Sequence, residues 1–280
     1  MVLKNFKIDF AGIGASKCAT TWIYECLREH PEICMSRPKG THYFDGGNKD
    51  YRKFFKHCSG EKLKGEFTPT YYMEPGVAKR IKDYNSDIKL IASIRNPVDR
   101  VWSHYLHNIS LGDGKFEGFE EGKIYSDLLK PGFYYKHLKD YFRLFPRENI
   151  LILFHQDLKK GPTSFIQVVY DFLGVNFSFV PDTASRRVAP SGFKFTGVGR
   201  TIHEGIGKPL SNSFLGRKLK SNPWLKKVFY RFANFYVNDE ESNKPEFPKQ
   251  LQRKVLREYK EDIDNIEQLL NKDLSSWKEL

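Results

Sequence analysis

Lys17 stands in a run of small residues between an apolar segment and a helix-like stretch, FAGIGASKCATTWIYECLREHPE, residues 10–32. Phe6, Ile8, Phe10 and Ile13 read as a strand, and Gly12 and Gly14 as a sharp turn. Thr20-Thr21 opens a helix that His30-Pro31 ends. A strand that feeds a small-residue loop and then a helix start is an anion site, because unpaired N–H groups converge there and the helix dipole favours negative charge. Lys17, Cys18, Ala19, Thr20, Thr21 and Trp22 are therefore the candidate anion-binding residues. Lys17 is also the catalytic candidate, a point charge for a phosphate or sulfate oxygen.

A second constellation is IRNPVDRVWSHY, residues 94–105. The near-continuous apolar run Ile88–Ile94 predicts a buried parallel strand that delivers Arg95 at its carboxyl end. Ser103 lies on the helix expected over Val98–Ile109. Arginine can grip a phosphate with two N–H bonds, and a serine hydroxyl can add another. A third stretch, RPKGTHYFDGG at 37–47, gathers His42 with polar and aromatic neighbours.

Together these motifs resemble the sulfotransferases that use 3′-phosphoadenosine 5′-phosphosulfate (PAPS), in particular the carbohydrate branch with the heparan sulfate enzymes. The Lys17 loop resembles that family's 5′-phosphosulfate loop. It is not a Walker A motif, because two hydroxyl residues follow the lysine only after Cys18-Ala19. Arg95 and Ser103, eight residues apart, resemble the family's 3′-phosphate motif. The resemblance implies PAPS as donor, adenosine 3′,5′-bisphosphate (PAP) as product, no metal, and a hydroxyl- or amine-bearing acceptor, a carbohydrate or small metabolite. Nucleic acid is not an expected partner.

At one position the chain departs from the family. RPKGTHYFD resembles Lys-Glu-x-His-x-Phe, whose Glu is the catalytic base, and the matching residue here is Gly40. His42 and Glu66 are the candidate substitutes. His42 has a suitable intrinsic pKa and is the catalytic assignment, although it reads equally as a positioning or core histidine. Glu66, in GEFTPTYY, reads better as the salt-bridge partner of a nearby lysine. Gly40 also keeps open a PAPS-binding protein without turnover. A P-loop nucleotide kinase is disfavoured by the missing Gly-Lys-Thr.

The elements that must position these residues alternate in type. Strands are expected at Ile33–Met35, Lys62–Phe67, Ile88–Ile94 and Ile150–Phe154. Helices are expected over Pro75–Tyr84, Val98–Ile109, Tyr134–Phe145, Pro162–Leu173, Pro223–Tyr236 and Phe247–Leu270, with a loop at 110–130. This alternation predicts an α/β fold, a P-loop-like three-layer sandwich with a central parallel sheet and helices on both faces, formed by residues 1–280 as a single domain. Arg186-Arg187 and Gly192-Phe193-Lys194 are candidates for covering the nucleotide.

Composition bounds the rest. With 40% hydrophobic and 15% aromatic residues the 280-residue chain has enough apolar material for a core. A net charge of +12 suits a polyanionic ligand, and the basic segment beyond 193, with Trp224, reads first as a helix packed on the sheet with its charged face in water and second as an acceptor patch or peripheral membrane contact. Four cysteines without C-x-x-C or zinc spacing read as reduced thiols. With no transmembrane run, they lead to the expectation of a cytoplasmic protein or the trimmed catalytic domain of an anchored enzyme.

Overall fold

Five short strands pair in parallel in the order β2-β3-β1-β4-β5. They are β1 (Phe10–Gly14), β2 (Ile33–Met35), β3 (Leu63–Phe67), β4 (Lys89–Ile94) and β5 (Ile150–Phe154). The structure is a computed structural model, and it describes residues 6–46, 50–60, 62–110, 122–185 and 246–279. Alternation along β4 explains the layers. Leu90, Ala92 and Ile94 enter one core and Ile91 enters the other.

The first core is covered by α3 (Val77–Tyr84), α4 (Pro97–Ser110), α6 (Tyr134–Leu144) and the long helix α9 (Lys249–Leu270). The second lies under α1 (Thr20–Glu29) and α8 (Pro162–Leu173). The expected three-layer α/β sandwich is therefore present. The sheet grows outward from β1 in both directions, so the loops after β1 and β4 flank the topological switch point where ligands of open α/β sheets sit.

Three sequence expectations change. First, Cys34 and Cys58 are not reduced thiols. They form a disulfide with Cα atoms 5.9 Å apart, because β2 and the turn after the 3₁₀ segment Tyr51–Phe55 lie side by side. The 24-residue separation concealed that proximity. Cys18 and Cys26 are free and buried. The inference of a reducing compartment loses its support. Second, the 110–130 stretch contains a helix, α5 (Gly122–Leu129), which contributes Leu128 and Leu129 to the core. Third, two short helices are added, α2 (Tyr43–Gly46) and α7 (His155–Lys160). The helix expected at 223–236, the basic segment with Trp224, and the candidates Arg186-Arg187 and Gly192-Phe193-Lys194 lie outside the described residues. Among the described residues, no helix is long and apolar enough to cross a membrane.

The tail closes over the carboxyl edge. Trp277 is buried against Tyr134 and Phe154, and its indole N–H donates to Gln156 Oε1 at 3.1 Å. Asp262 of α9 accepts the N–H groups of Tyr135 and Lys136, both at 3.0 Å. It thus supplies the acceptor that the first turn of α6 lacks.

Candidate active site

The chain leaves β1 under two aromatic rings. A Cβ on Gly12 would stand 2.2 Å from the Phe67 ring, and one on Gly14 2.4 Å from the Tyr72 ring. Glycine is needed at both for close approach, not for turning. The Ala15 N–H then bonds to Ser93 O at 2.8 Å, which ties the loop to the end of β4. Lys17 and Ala19 take positive φ, 70° and 61°, a conformation that costs a non-glycine residue about 1–2 kcal/mol.

Helix α1 starts with no side-chain cap and no acidic residue in its first turn. Its first intrahelical bond is Ile23 N–H to Ala19 O. The N–H groups of Thr20, Thr21 and Trp22 therefore have no helical acceptor and face the place where an anion would sit.

Lys17 sets the sign of this place. Its side chain is mostly buried, and no carboxylate among the described residues pairs with it. Burial first, then Arg95 and Arg100, push its pKa down to about 8. The same positive field reaches three histidines. His104 is driven to about 3 by burial, Arg100 and Lys17, and His155 to about 4 by burial, Arg95 and Lys159. His107 is lowered by burial and Lys17.

Arg95 lies where the sequence put it, just past β4, with a guanidinium nitrogen 3.5 Å from Asp99 and its Nε buried with no hydrogen-bond partner among the described residues. Ser103 is buried on α4, two turns on. One side chain links the two motifs. The Tyr134 hydroxyl donates to Arg95 O at 2.8 Å, accepts from Arg95 N–H at 3.3 Å, and lies 3.8 Å from Cys18 Sγ. Beneath it Arg100 is fully buried, donating to Leu128 O and lying 3.3 Å from His104 Nδ1, with no carboxylate partner among the described residues.

The 36–46 segment forms the other wall. Its frame is the buried Glu66. Both carboxylate oxygens accept hydroxyls: Thr41 and Thr68 (2.8 Å) on Oε2, Tyr51 and Tyr71 (3.0 Å) on Oε1. The lysine salt bridge expected for Glu66 is absent among the described residues, because the end of β3 is sealed from solvent and hydroxyls provide the compensation. Burial raises its pKa and the four bonds oppose that rise. Tyr71 OH in turn accepts the N–H groups of Tyr43 and Phe44 at 2.8 and 3.1 Å, which fixes the backbone that carries His42.

His42 is half exposed, and its Nδ1 lies 2.9 Å from Asp45 Oδ2. With Asp45 accepting the Nδ1 proton, Nε2 is left as the basic atom. A Cβ built on Gly40 would lie 3.6 Å from that Nε2. Gly40 has φ 75°, and its N–H bonds to Phe67 O at 3.0 Å. Glu66 is thus a positioning group and not a base that could reach an acceptor.

A family model of the sulfotransferase domain matches residues 8–196. The chain belongs to the sulfotransferase family. Over 177 residues it is 30% identical to heparan sulfate glucosamine 3-O-sulfotransferase 6 of Mus musculus, a match covering 58% of this chain and 51% of that protein. It is 26% identical over 192 residues to bifunctional heparan sulfate N-deacetylase/N-sulfotransferase 2 of Mus musculus, covering 59% of this chain and 22% of that one. The chain spans about half the length, or less, of these curated relatives. Among solved structures, a sulfotransferase from Alicyclobacillus acidocaldarius superposes with a TM-score of 0.66 at 22% identity, covering 98% of this chain and 100% of that one. That likeness is one of fold.

Within this sulfotransferase fold the anion-facing set is narrower than the sequence suggests. The Cys18 side chain is fully buried against Tyr134, and its thiol is pushed up to about 11, chiefly by burial. Trp22 is buried against Phe165, with its indole N–H on Thr183 O at 3.2 Å. Both residues can offer only backbone to an anion. Sequence reasoning missed Tyr134 and Arg100, which act from α6 and α4 through packing with no spacing to betray them. It also missed the pairing of His42 with Asp45, although i,i+3 spacing was available as a signal.

Proposed function

We propose that this sulfotransferase moves the sulfuryl group of PAPS to a hydroxyl or amine, with a carbohydrate as the first class of acceptor to test. The observation that carries the reading is the Lys17 ammonium, with which no carboxylate among the described residues pairs. It lies beside Arg95 and Arg100, in a buried and positive place that disfavours further positive charge, in front of an uncapped helix start. Lys17 and the α1 amides would hold the 5′-phosphosulfate, and Arg95 with Ser103 the 3′-phosphate. The acceptor oxygen or nitrogen attacks sulfur and the bond from sulfur to the phosphate oxygen breaks. The electron pair leaves on PAP, where Lys17 meets the growing charge. The acceptor proton passes to His42 Nε2, with Asp45 holding Nδ1–H. The heparan sulfate relatives support a sugar acceptor.

The departure at Gly40 supports a second reading, a donor-binding protein without turnover. Calorimetry with PAP and AMP tests the donor, and single-turnover transfer from labelled PAPS to a panel of sugars, amines and phenols tests turnover. PAP is expected to bind far better than AMP, since each added charge-assisted contact contributes ~1.5–3 kcal/mol. Equal affinities would refute the donor assignment. Tight PAP binding with no transfer to any acceptor would favour the second reading.

A further inference from the structure

We infer that Lys39 is a second cation for the 5′-phosphosulfate end of the donor, supplied by the same segment that carries His42. The inference rests on the PAPS reading above and adds to it a residue from outside the β1–α1 loop. Lys39 Nζ donates to Thr21 Oγ1 at 2.7 Å and to Thr20 Oγ1 at 3.1 Å. Those two hydroxyls open α1, so the ammonium lies at the positive end of a ten-residue helix. A cation there has the wrong sign for the dipole. It is also mostly buried, and Lys17 is close enough to lower its pKa.

Among the described residues, the charged groups facing it are Lys17 from the loop and Glu25 from α1, and Glu25 is engaged by Arg28 at 2.5 Å without an ion pair to Lys39. Among those residues Lys39 therefore has only neutral oxygens as partners, in a place that penalises positive charge twice. An anion at the α1 start would remove both penalties, since it would be attracted by Lys17, by Lys39 and by the helix end together. The hydroxyls fit the same geometry. Because Thr20 and Thr21 accept from Lys39, their own protons are free to donate outward to that anion.

Position along the chain makes Lys39 more than an extra charge. Arg37 N–H bonds to Phe54 O at 2.9 Å and Gly40 N–H to Phe67 O at 3.0 Å, so the segment is anchored on either side of residue 39. Thr41 is fixed by Glu66, and His42 follows. A donor held by Lys39 is thereby registered against the segment that would take the acceptor proton.

The test truncates both protein and ligand. The native chain, Lys39→Met, Lys39→Gln, Lys39→Arg and Arg95→Ala are titrated with PAP and with adenosine 3′-monophosphate, which lacks the 5′-phosphate. Lys39→Met should weaken PAP by about 10- to 100-fold, the loss of one charge-assisted contact, and leave adenosine 3′-monophosphate unchanged. Lys39→Gln keeps a donor for the threonines without the charge and should behave like Met, which covers the case in which Met perturbs folding. Lys39→Arg should stay within a few-fold of native for PAP, and Arg95→Ala should weaken both ligands. If neutral variants at 39 bind PAP as the native chain does, or lose both ligands equally, the inference is overturned while the donor reading stands. If the native chain does not prefer PAP to AMP, the donor reading fails and this inference fails with it.

Discussion

Binding of PAP at pH 8 should draw about one proton from solution. Lys17 and Lys39 each have a pKa brought down to about 8, burial being the largest cause for both, with Arg95 and Arg100 adding to it at Lys17 and Lys17 adding to it at Lys39. At pH 8 each is then about half protonated, and the pair is short of about one proton. PAP places negative charge beside both ammonium groups and restores pKa values well above 8, so the missing proton is taken up on binding. The ligand's own phosphates contribute little, since their second ionisation lies near ~6.

Titration calorimetry in buffers of different ionisation enthalpy reads the number directly as a slope. About one proton is expected at pH 8, falling toward zero by pH 6.5, and about half a proton in Lys39→Met. The same shifts carry a sign for stability without ligand. Both folded pKa values lie below the unfolded value of 10.5, so between about 8 and 10.5 the unfolded chain binds more protons and stability rises with pH. A zero slope at pH 8, or net proton release, would show that the lysines do not face the bound anion.

Two further outcomes are expected. His42→Ala should lower single-turnover transfer by ~10²–10⁴-fold while leaving PAP affinity unchanged. Adding Gly40→Glu should recover part of that rate, at a stability cost of about 1–2 kcal/mol for a side chain at φ 75°. Native-like turnover by His42→Ala would remove His42 from the mechanism. Glu66→Gln should lower the melting temperature by roughly 5–15 °C. Its amide nitrogen must donate where two hydroxyls now donate, losing two bonds of ~1.5–3 kcal/mol each before the relief of charge burial is counted. An unchanged melt would mean that the four-hydroxyl cage is not holding the segment.

What the sequence made legible was set by the range over which the determining physics acts. The Ile88–Ile94 strand is a local pattern, and the structure places it within a residue of expectation, whereas the turn expected at Gly12 and Gly14 comes only after β1 has run through both. The helix expected over Pro162–Leu173 is likewise local, and it ends at Gly174, whose φ of 77° sends its N–H to Tyr170 O and Asp171 O. Glu66 was misjudged because nothing in GEFTPTYY says that Thr41 and Tyr51 arrive from other elements to solvate its carboxylate. The Cys34–Cys58 disulfide, the Tyr134 link and the buried Arg100 are likewise contacts between elements. A spacing rule for one helix or loop carries no information about them.

The departure at Gly40 is better understood as an exchange than as a loss. On the resemblance, Gly40 takes the place of the family's glutamate, and its backbone at φ 75° is a conformation a glutamate would adopt only under strain. The first atom of any side chain at 40 would lie 3.6 Å from His42 Nε2. A longer side chain and the imidazole would therefore compete for one space. Removing the carboxylate leaves that space to a ring already oriented by Asp45, and the Gly40 N–H to Phe67 O bond keeps the segment beside Lys39 and the phosphate loop. The positive end of the site carries its own pH dependence. Above about pH 8 the ligand-free Lys17 loses its proton, so transfer at low PAPS should fall there, whereas transfer at saturating PAPS should not, because the bound anion holds the proton on Lys17.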